Sequence, residues 1–486
     1  MHVRDVRVGG SQRGLESCPQ PAIPCTASVP VCPTQDEGDL VAFRWGSGLS
    51  EHGQGERTAG PYGSAIYADA AELPTRRSSF SERRPSRPHQ RQRTAPQWHG
   101  VWRRVGHSRT AFLEDFARWV VQTPVRGKFS VLPHPAGLGP ITSGWEGYSR
   151  HELAAWLAIV RDRLMPRFDV TPEVLTHTRA LDLASGTMLA QSEHDWMGRQ
   201  DEDVLAHYMA RSIALLDEVG LRPGGLTQPC YFRGDELVYA HAIQRAFREH
   251  GRSGVIYYFL HVRGRAAHVR PTVTLCDRAR GSCVVSIPSA TGDEFWPSQP
   301  AEARRRGLSQ PATVDAMADR LIDARGERGR LVDLLRTESD LILLTHWQSL
   351  YSDGSGLGLR ALAEVVDRIG GLLGDRVLWL RADDLARYVA TAASVEHWLE
   401  VGDRQLEVHL DSPFACPGLT LDVEIAGSAD VVRSVSLDSD DEASVRPLAG
   451  PLAALAPGRE GWILHEGRLR LMVDVGPGAQ RVVIGF

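Results

Sequence analysis

The sequence predicts an α/β domain of barrel-like type, preceded by a disordered N-terminal leader and followed by a small antiparallel β-sandwich. Apolar runs alternate with amphipathic helical stretches over about 280 residues, which is typical of parallel, wound α/β domains. After about residue 395, apolar residues recur at every second position, as in antiparallel strands. The first hundred residues show neither a helical repeat of apolar residues nor an alternation at every second position. The predicted boundaries are therefore 1–106, 107–395 and 396–486.

Composition excludes several classes of protein. The chain has 486 residues, enough for two or three domains with a sizeable core. Its formal net charge of −5 gives no reason to expect nucleic acid as a partner. No apolar run approaches the roughly 18–20 residues of a membrane helix, and no secretory pattern follows the initial methionine. We therefore expect a cytoplasmic protein with neither membrane nor nucleic acid as a partner.

Seven cysteines bear on metal binding and redox state. Cys18, Cys25 and Cys32 lie in a Pro-rich stretch and do not match zinc-site spacing. Cys276 and Cys283 flank a plausible hairpin turn and could face each other across two strands. In a reducing cytoplasm we expect them to remain thiols.

Residues 1–106 differ from the rest of the chain because Arg, Pro, Ser, Gln and Gly dominate them. Such a segment cannot bury enough apolar surface to offset the entropy of ordering it. One interpretation is a disordered leader. A second is an artefact of a wrong start or a frameshift, and the protein sequence leaves both open.

Order is predicted from about His107 onward. An apolar stripe predicts a helix over 110–121, and 128–132 reads as a strand. Ser149 and Glu152 form a capping box that opens the next helix. The other predicted elements are a strand at 173–176, a helix from Asp201 to Gly220, a strand tip at 226–229, a helix at 235–250, a strand at 255–260, a β-rich excursion at 261–290, helices at 313–324 and 329–336, a strand at 341–345, a helix at 357–373, a strand at 376–379 and a helix at 384–391.

Two of these strands end in histidine tips, His177 and His346. In α/β proteins the carboxyl ends of strands are where sites are built. The Gly-rich loop 353–356 follows the second tip and resembles a site wall. No GxGxxG or P-loop occurs at a strand-to-helix turn, which argues against a nucleotide cofactor.

Three short stretches carry a resemblance to a known family. They are Leu175-Thr176-His177-Thr178, Thr227-Gln228-Pro229 and Leu343-Leu344-Thr345-His346. With them, residues 107–395 resemble the polysaccharide deacetylase (NodB-like) family, a distorted (β/α) barrel of metal-dependent hydrolases that remove N- or O-acyl groups from sugars. The resemblance implies a carbohydrate substrate.

The resemblance also implies roles for individual residues. His177 would bind a divalent metal, zinc or similar, with Asp182 as an oxygen ligand and His194 as a more distant candidate. His346 would be the general acid for the leaving group. Such a metal lowers the pKa of bound water and polarises the acyl carbonyl.

Two family features are absent. The family's Asp-Asp pair at the end of the first strand has no counterpart, because no aspartate lies between Asp69 and Asp115. The arginine of the family's third motif is also missing, although Pro229 is kept. Either catalysis is lost or altered, or the leader stands where the true first strand belongs.

Other interpretations remain open. A histidine at a strand end is often only a hydrogen-bonded structural residue, and this applies to His134 as well. A non-catalytic barrel that binds a glycan or a protein would fit the missing motifs. A glycoside hydrolase on a similar barrel would need two carboxylates roughly 5–10 Å apart, for which Glu193 and Asp353 are the candidates.

Overall fold

The chain folds into a mixed α/β part followed by an all-β part, each with its own hydrophobic core. This computed structural model describes residues 41–44, 110–145, 149–228, 232–374, 377–402, 404–424, 432–438, 443–448, 461–465 and 468–486. Among these residues, no helix combines the length and apolarity needed to cross a bilayer.

Strands and helices alternate through the α/β part. The strands are β1 (Val41–Arg44), β2 (Gly127–Val131), β3 (Phe168–Pro172), β4 (Arg179–Asp182), β5 (Thr187–Ser192), β6 (Gly225–Thr227), β7 (Val255–Phe259), β8 (Thr272–Asp277), β9 (Ser282–Ser286), β10 (Leu341–Ile342) and β11 (Val377–Trp379). The helices are α1 (110–122), α2 (Arg150–Ile159), α3 (Glu193–Met197), α4 (Glu202–Glu218), α5 (Glu236–Glu249), α6 (Pro300–Arg305), α7 (Val314–Leu321), α8 (Arg330–Arg336), α9 (Trp347–Tyr351), α10 (Leu357–Leu373) and α11 (Ala382–Ser394).

Successive parallel strands are spatial neighbours. Strand β2 pairs with β3, and β6, β7 and β9 form one parallel run with β8 antiparallel at its edge. A parallel bridge between Glu173 and Thr227 joins β3 to β6. Beyond β9, the amide of Ala290 donates to the carbonyl of Ile342 in β10 at 2.8 Å. The carboxyl ends of these strands therefore lie on the same side.

Strand β1 corrects the prediction for the leader. It lies between β10 and β11 and is parallel to both, with Phe43 opposite Leu341 and Val41 opposite Val377. The prediction that all of 1–106 lacks order is therefore wrong for 41–44, and the rest of that segment lies outside the described residues. A four-residue strand satisfies its backbone by pairing with distant strands, so local composition does not reveal it.

The predicted barrel is supported only in part. The alternation of strands and helices is present, but the described strands fall into separate sheets. No pairing among the described residues joins β2 to β1 or β11, so these strands do not close into a barrel.

Several local predictions can be compared directly with the structure. The capping box is confirmed, with Ser149 and Glu152 bonded reciprocally at 3.1 Å, and α10 has the predicted limits. The strand predicted at 173–176 is wrong, since β3 ends at Pro172 and a loop follows it. The strand predicted at 341–345 is shorter, because β10 ends at Ile342.

The two hairpin cysteines also differ from expectation. Cys276 and Cys283 face each other across β8 and β9, as the hairpin predicted. They form a disulfide rather than two thiols, because this direct pairing places the two sulfurs side by side.

The all-β part consists of two antiparallel sheets. Its strands are β12 (Glu396–Val401), β13 (Gln405–Ser412), β14 (Cys416–Glu424), β15 (Ser434–Asp438), β16 (Ala443–Ser444), β17 (Gly461–His465), β18 (Arg468–Val475) and β19 (Gly478–Gly485). The sheet orders are β12-β13-β19-β15-β16 and β14-β18-β17. Alternate residues such as Leu406 and Leu421 face one shared core. The alternating pattern thus predicted the antiparallel strands correctly.

Candidate functional site

Polar side chains follow the carboxyl ends of the parallel strands. They are His134 after β2, Glu173 and His177 after β3, Gln228 after β6, His261 after β7, Asp293 and Trp296 after β9, and His346 after β10. Because the strands are parallel and adjacent, these side chains belong to the same side of the α/β part. This is the location that the two histidine tips predicted.

The best-defined pair in this region is Asp293 and His346. Both side chains are buried, at 2% and 3% exposure, and His346 Nδ1 lies 2.6 Å from Asp293 Oδ2. The same oxygen accepts from the His346 amide at 2.8 Å and from Ser349 Oγ at 2.6 Å. Phe295 N donates to the other oxygen at 2.9 Å. The carboxylate therefore fixes the imidazole and directs its Nε2 away from Asp293.

The surroundings of His346 are aromatic and rigid. The Trp296 ring lies 5.3 Å from the imidazole, centroid to centroid. Behind it, Ser352 Oγ donates to Ser298 Oγ at 2.7 Å and accepts from the amide of Gly358 at 2.8 Å. These bonds fasten the loop that the sequence identified as a site wall.

His177 belongs to the same region. Its Nδ1 lies 3.6 Å from Glu173 Oε1, and the Glu173 side chain is fully buried. Burial is the main cause that lowers the pKa of His177 to about 3, and the charges of His346 and His194 lower it further. The protonated form of His177 is therefore disfavoured in the folded protein.

Glu193, one of the two carboxylates predicted to be catalytic, is buried and accepts hydrogen bonds from the loop that carries His177. Its buried Oε1 accepts from the amide of Thr176 at 2.8 Å and from Tyr208 Oη at 2.7 Å, and its Oε2 accepts from the amide of His177 at 2.7 Å. Burial raises the pKa of Glu193, while these bonds lower it. The carboxylate thus holds the loop that carries His177.

That loop needs such a restraint because its backbone is strained. Val174 has φ +42° and His177 has φ +64°, conformations that are unfavourable for non-glycine residues, above all for a β-branched one. Strained backbone persists only where its surroundings enforce it, and it is concentrated at functional sites.

Several buried polar side-chain atoms in the α/β part have no hydrogen-bond partner among the described residues. They are His134 Nδ1, both amide atoms of Gln228, Tyr239 Oη and Trp296 Nε1. Buried polar groups are nearly always paired. Those of His134, Gln228 and Trp296, which follow strand ends, are therefore candidates for contacts with a polar ligand.

The three predicted metal ligands do not converge. Asp182 ends β4 and caps the β4–β5 turn, accepting from the amide of Ala184 at 2.9 Å and from Ser185 Oγ at 2.8 Å. His194 Nε2 pairs with Asp195 Oδ2 at 3.8 Å. Sequence spacing could not reveal that a hairpin carries Asp182 into a turn. Within the described residues, these three side chains thus do not bring their ligand atoms together.

One group of potential ligands does form elsewhere. Within the part of the chain that is described, Glu400, Glu407 and His409 alone bring three such groups within 4.8 Å of one another. They lie on the solvent face of the all-β part, and Arg481 already pairs with Glu407 at 2.9 Å. We assign no metal to them.

Lys128 is the only lysine in the chain and is 1% exposed. Its Nζ donates to Thr227 Oγ1 at 2.9 Å and to Ser130 Oγ at 3.0 Å. Burial is the main cause that lowers its pKa to about 7, while the charges of Glu173 and Asp169 raise it. The interior beneath the site is thus polar.

Asp293 was not identified from the sequence. Asp353 is exposed on the turn after α9, apart from the buried pair. Asp293 and Trp296 lie in Gly292-Asp293-Glu294-Phe295-Trp296-Pro297, directly after the stretch read as a β-rich excursion. The polar and aromatic residues of that loop were the available signal, but only tertiary structure pairs it with His346.

Comparison with protein-family models and with curated protein sequences gives no match. Among solved structures, the chain is similar to the glycoside hydrolase family 30 subfamily 8 xylanase from Clostridium acetobutylicum, at 10% identity and a TM-score of 0.25, covering 74% of this chain and 89% of that one. It is also similar to a family 51 α-L-arabinofuranosidase from Bifidobacterium longum, at 12% identity and a TM-score of 0.20, covering 76% and 78%. Similarity at this level is too low to support a conclusion about function.

Proposed function

We propose that this chain is a carbohydrate-active hydrolase that removes acyl groups from sugars, with His346 as the proton donor. The observation that carries the proposal is the buried Asp293–His346 pair at the carboxyl end of β10, with Nδ1 and Oδ2 2.6 Å apart. A carboxylate that orients an imidazole through Nδ1 is the arrangement used in general acid–base catalysis, in which Nε2 exchanges the proton.

The proposed reaction is hydrolysis of an amide or ester of a sugar. Water adds to the acyl carbonyl, and Glu173, beside His177, takes the proton released by the water. His346, protonated at the start, then gives its Nε2 proton to the departing amine or alcohol as its bond to the acyl carbon breaks. Exchange with solvent afterwards removes the proton from Glu173 and returns one to His346. The products are a carboxylic acid and the deacylated sugar, so one water is consumed for each acyl group.

Two further observations support a sugar as the substrate. The Trp296 ring beside His346 offers an apolar surface of the kind that packs against a sugar ring. The unpaired amide of Gln228 and the Nε1 of Trp296 provide donors and acceptors suited to hydroxyl groups. The motif Leu343-Leu344-Thr345-His346, which resembles one in the deacetylase family, supports acyl hydrolysis as the reaction.

A panel of acylated saccharides tests the proposal. The full chain is incubated with acetylated xylo- and chito-oligosaccharides, and released acetate and new reducing ends are measured in parallel. We expect acetate without reducing ends, and a loss of about 10²–10⁴-fold in rate for His346→Gln. His207→Gln, at an exposed position on α4, is the matched control and should leave the rate unchanged.

Other results would overturn the proposal in distinct ways. Reducing ends without acetate would indicate a glycoside hydrolase, the alternative that the sequence left open. Saccharide binding with no product would indicate a non-catalytic binding protein. Acetate release that is equal in His346→Gln and in the natural sequence would remove His346 from the mechanism.

A further inference from the structure

An exposed tryptophan stands at the edge of the five-stranded sheet, away from the site described above. Trp398 is 49% exposed and lies directly opposite His409 in the β12–β13 register. The two rings stack with centroids 4.8 Å apart and planes within 4°. Since β12 is the edge strand, one indole face packs on His409 and the other faces outward at the sheet edge.

Carboxylates lie next to this ring. Glu400 is two residues along the same strand, and therefore on the same face, with its side chain 64% exposed. Glu407 lies opposite Glu400 and is paired with Arg481 at 2.9 Å. His409 Nε2 lies 3.6 Å from Glu400 and 3.4 Å from Glu407. Glu400 is thus an exposed carboxylate on the same face of the strand as Trp398.

We propose that Trp398 and Glu400 form a binding surface for a polysaccharide whose sugars carry a protonated amine. The apolar face of a sugar packs on indole, and an ammonium group is attracted both by the indole face and by a nearby carboxylate. The chain's formal net charge of −5 disfavours an anionic polysaccharide. The surface is therefore complementary in shape and in charge to an amino sugar.

The position of the surface connects it with the proposed reaction. Strand β13, which carries His409, continues to Asp411, and Asp411 pairs with Arg278 of the β8–β9 hairpin at 3.1 Å. The surface is thus anchored to the α/β part. This inference rests on the proposed function, since removal of an N-acyl group from an amino sugar creates the amine that the surface would hold.

Depletion of the full chain from solution by insoluble chitosan at about pH 6 tests the inference, with chitin as the acetylated comparison. We expect binding to chitosan to weaken about tenfold in Trp398→Ala and a few-fold in Glu400→Gln. Val401→Ala is the matched control, because Val401 lies on the same strand and is 59% exposed. It should bind like the natural sequence.

The inference is overturned if Trp398→Ala binds chitosan as well as the natural sequence does, or if chitin and chitosan bind equally. Absence of binding by the natural sequence overturns it too. Acetate release from a small soluble substrate is measured in the same variants. It distinguishes failure of the binding surface from failure of the proposed function. Trp398→Ala should keep that activity. A Trp398-dependent affinity with no acetate release would sink the proposed reaction while leaving the surface in place.

Discussion

At the scale of single residues, buried charge determines much of the behaviour expected of this protein. Lys128 is enclosed in the interior, where hydroxyls of Ser130 and Thr227 accept from its amine. Burial of an ammonium group costs free energy unless its partners compensate. The pKa of Lys128 falls to about 7, so the cost of burial exceeds the stabilisation from its partners.

Lys128 should therefore make folding stability depend on pH. The ordinary lysine pKa is 10.5 and the folded value is about 7, so between these values the unfolded chain binds a proton that the folded chain does not. By linkage, the free energy of unfolding then rises with pH across that window. We expect it to rise by about 2 kcal/mol more between pH 7 and pH 9 in the natural sequence than in Lys128→Met, as measured by urea unfolding.

Parallel stability curves for the two proteins would contradict this account. The same variant should also be more stable than the natural sequence below pH 7, because it no longer buries a charge. Comparing the difference between the two curves cancels the contributions of titrating groups that do not interact with Lys128.

The candidate site was only partly predictable at this scale. His177 and His346 were identified because each follows an apolar run that ends in polar residues, and that local pattern is visible in sequence. Asp293 was missed because its pairing with His346 spans 53 positions. The hydrogen bonds of Glu193 to the loop backbone were not predictable either, because they depend on tertiary structure.

At the scale of elements, close packing of the loop against α10 supports the site. A Cβ atom on Gly358 would clash with the carbonyl oxygen of Ser349, the residue whose hydroxyl donates to Asp293 at 2.6 Å. The helix can therefore approach the His346 loop only where it has no side chain.

Gly358→Ala should lower the free energy of unfolding by about 1–3 kcal/mol, because the loop must shift to accept the methyl group. Acetate release should fall with it. Gly370→Ala on the same helix is the matched control, since no atom lies within 4 Å of the added Cβ. That control should gain up to about 1 kcal/mol through helix propensity. Equal stability of the two variants in chemical unfolding would refute the close-packing argument.

Helices and strands were predicted correctly where the identifying sequence pattern lies within the element itself. The capping box at Ser149, the apolar face of α10 and the alternation in β13 are each contained within one element, and all three are present. Strand β1 was not predicted, and β10 was predicted too long. Both are formed by backbone pairing with distant segments, which the local sequence pattern does not reveal.

At the scale of the whole molecule, β1 connects a segment predicted to be disordered with the centre of the α/β part. It pairs with β10 on one side and β11 on the other. Without it, both strands would present unpaired edges, which cost stability and invite association.

A chain beginning at residue 107 should therefore be less stable than the full chain. We expect its thermal midpoint to fall by about 5 °C or more, together with increased aggregation on light scattering. A chain lacking only residues 1–36 keeps Val41–Arg44 and serves as the control. Identical midpoints for all three chains would show that the β1 pairing contributes nothing to stability.

Under the proposed function, Asp293 holds His346 as the proton donor in acyl hydrolysis. The most direct test is to measure kcat and KM for acetate release by Asp293→Asn, beside Asp162→Asn at an exposed position as the control. We predict that Asp293→Asn lowers kcat by at least about 10²-fold with little change in KM, because orientation of the imidazole acts on the transition state. The control should match the natural sequence. A folded Asp293→Asn protein with unchanged kcat would contradict the account.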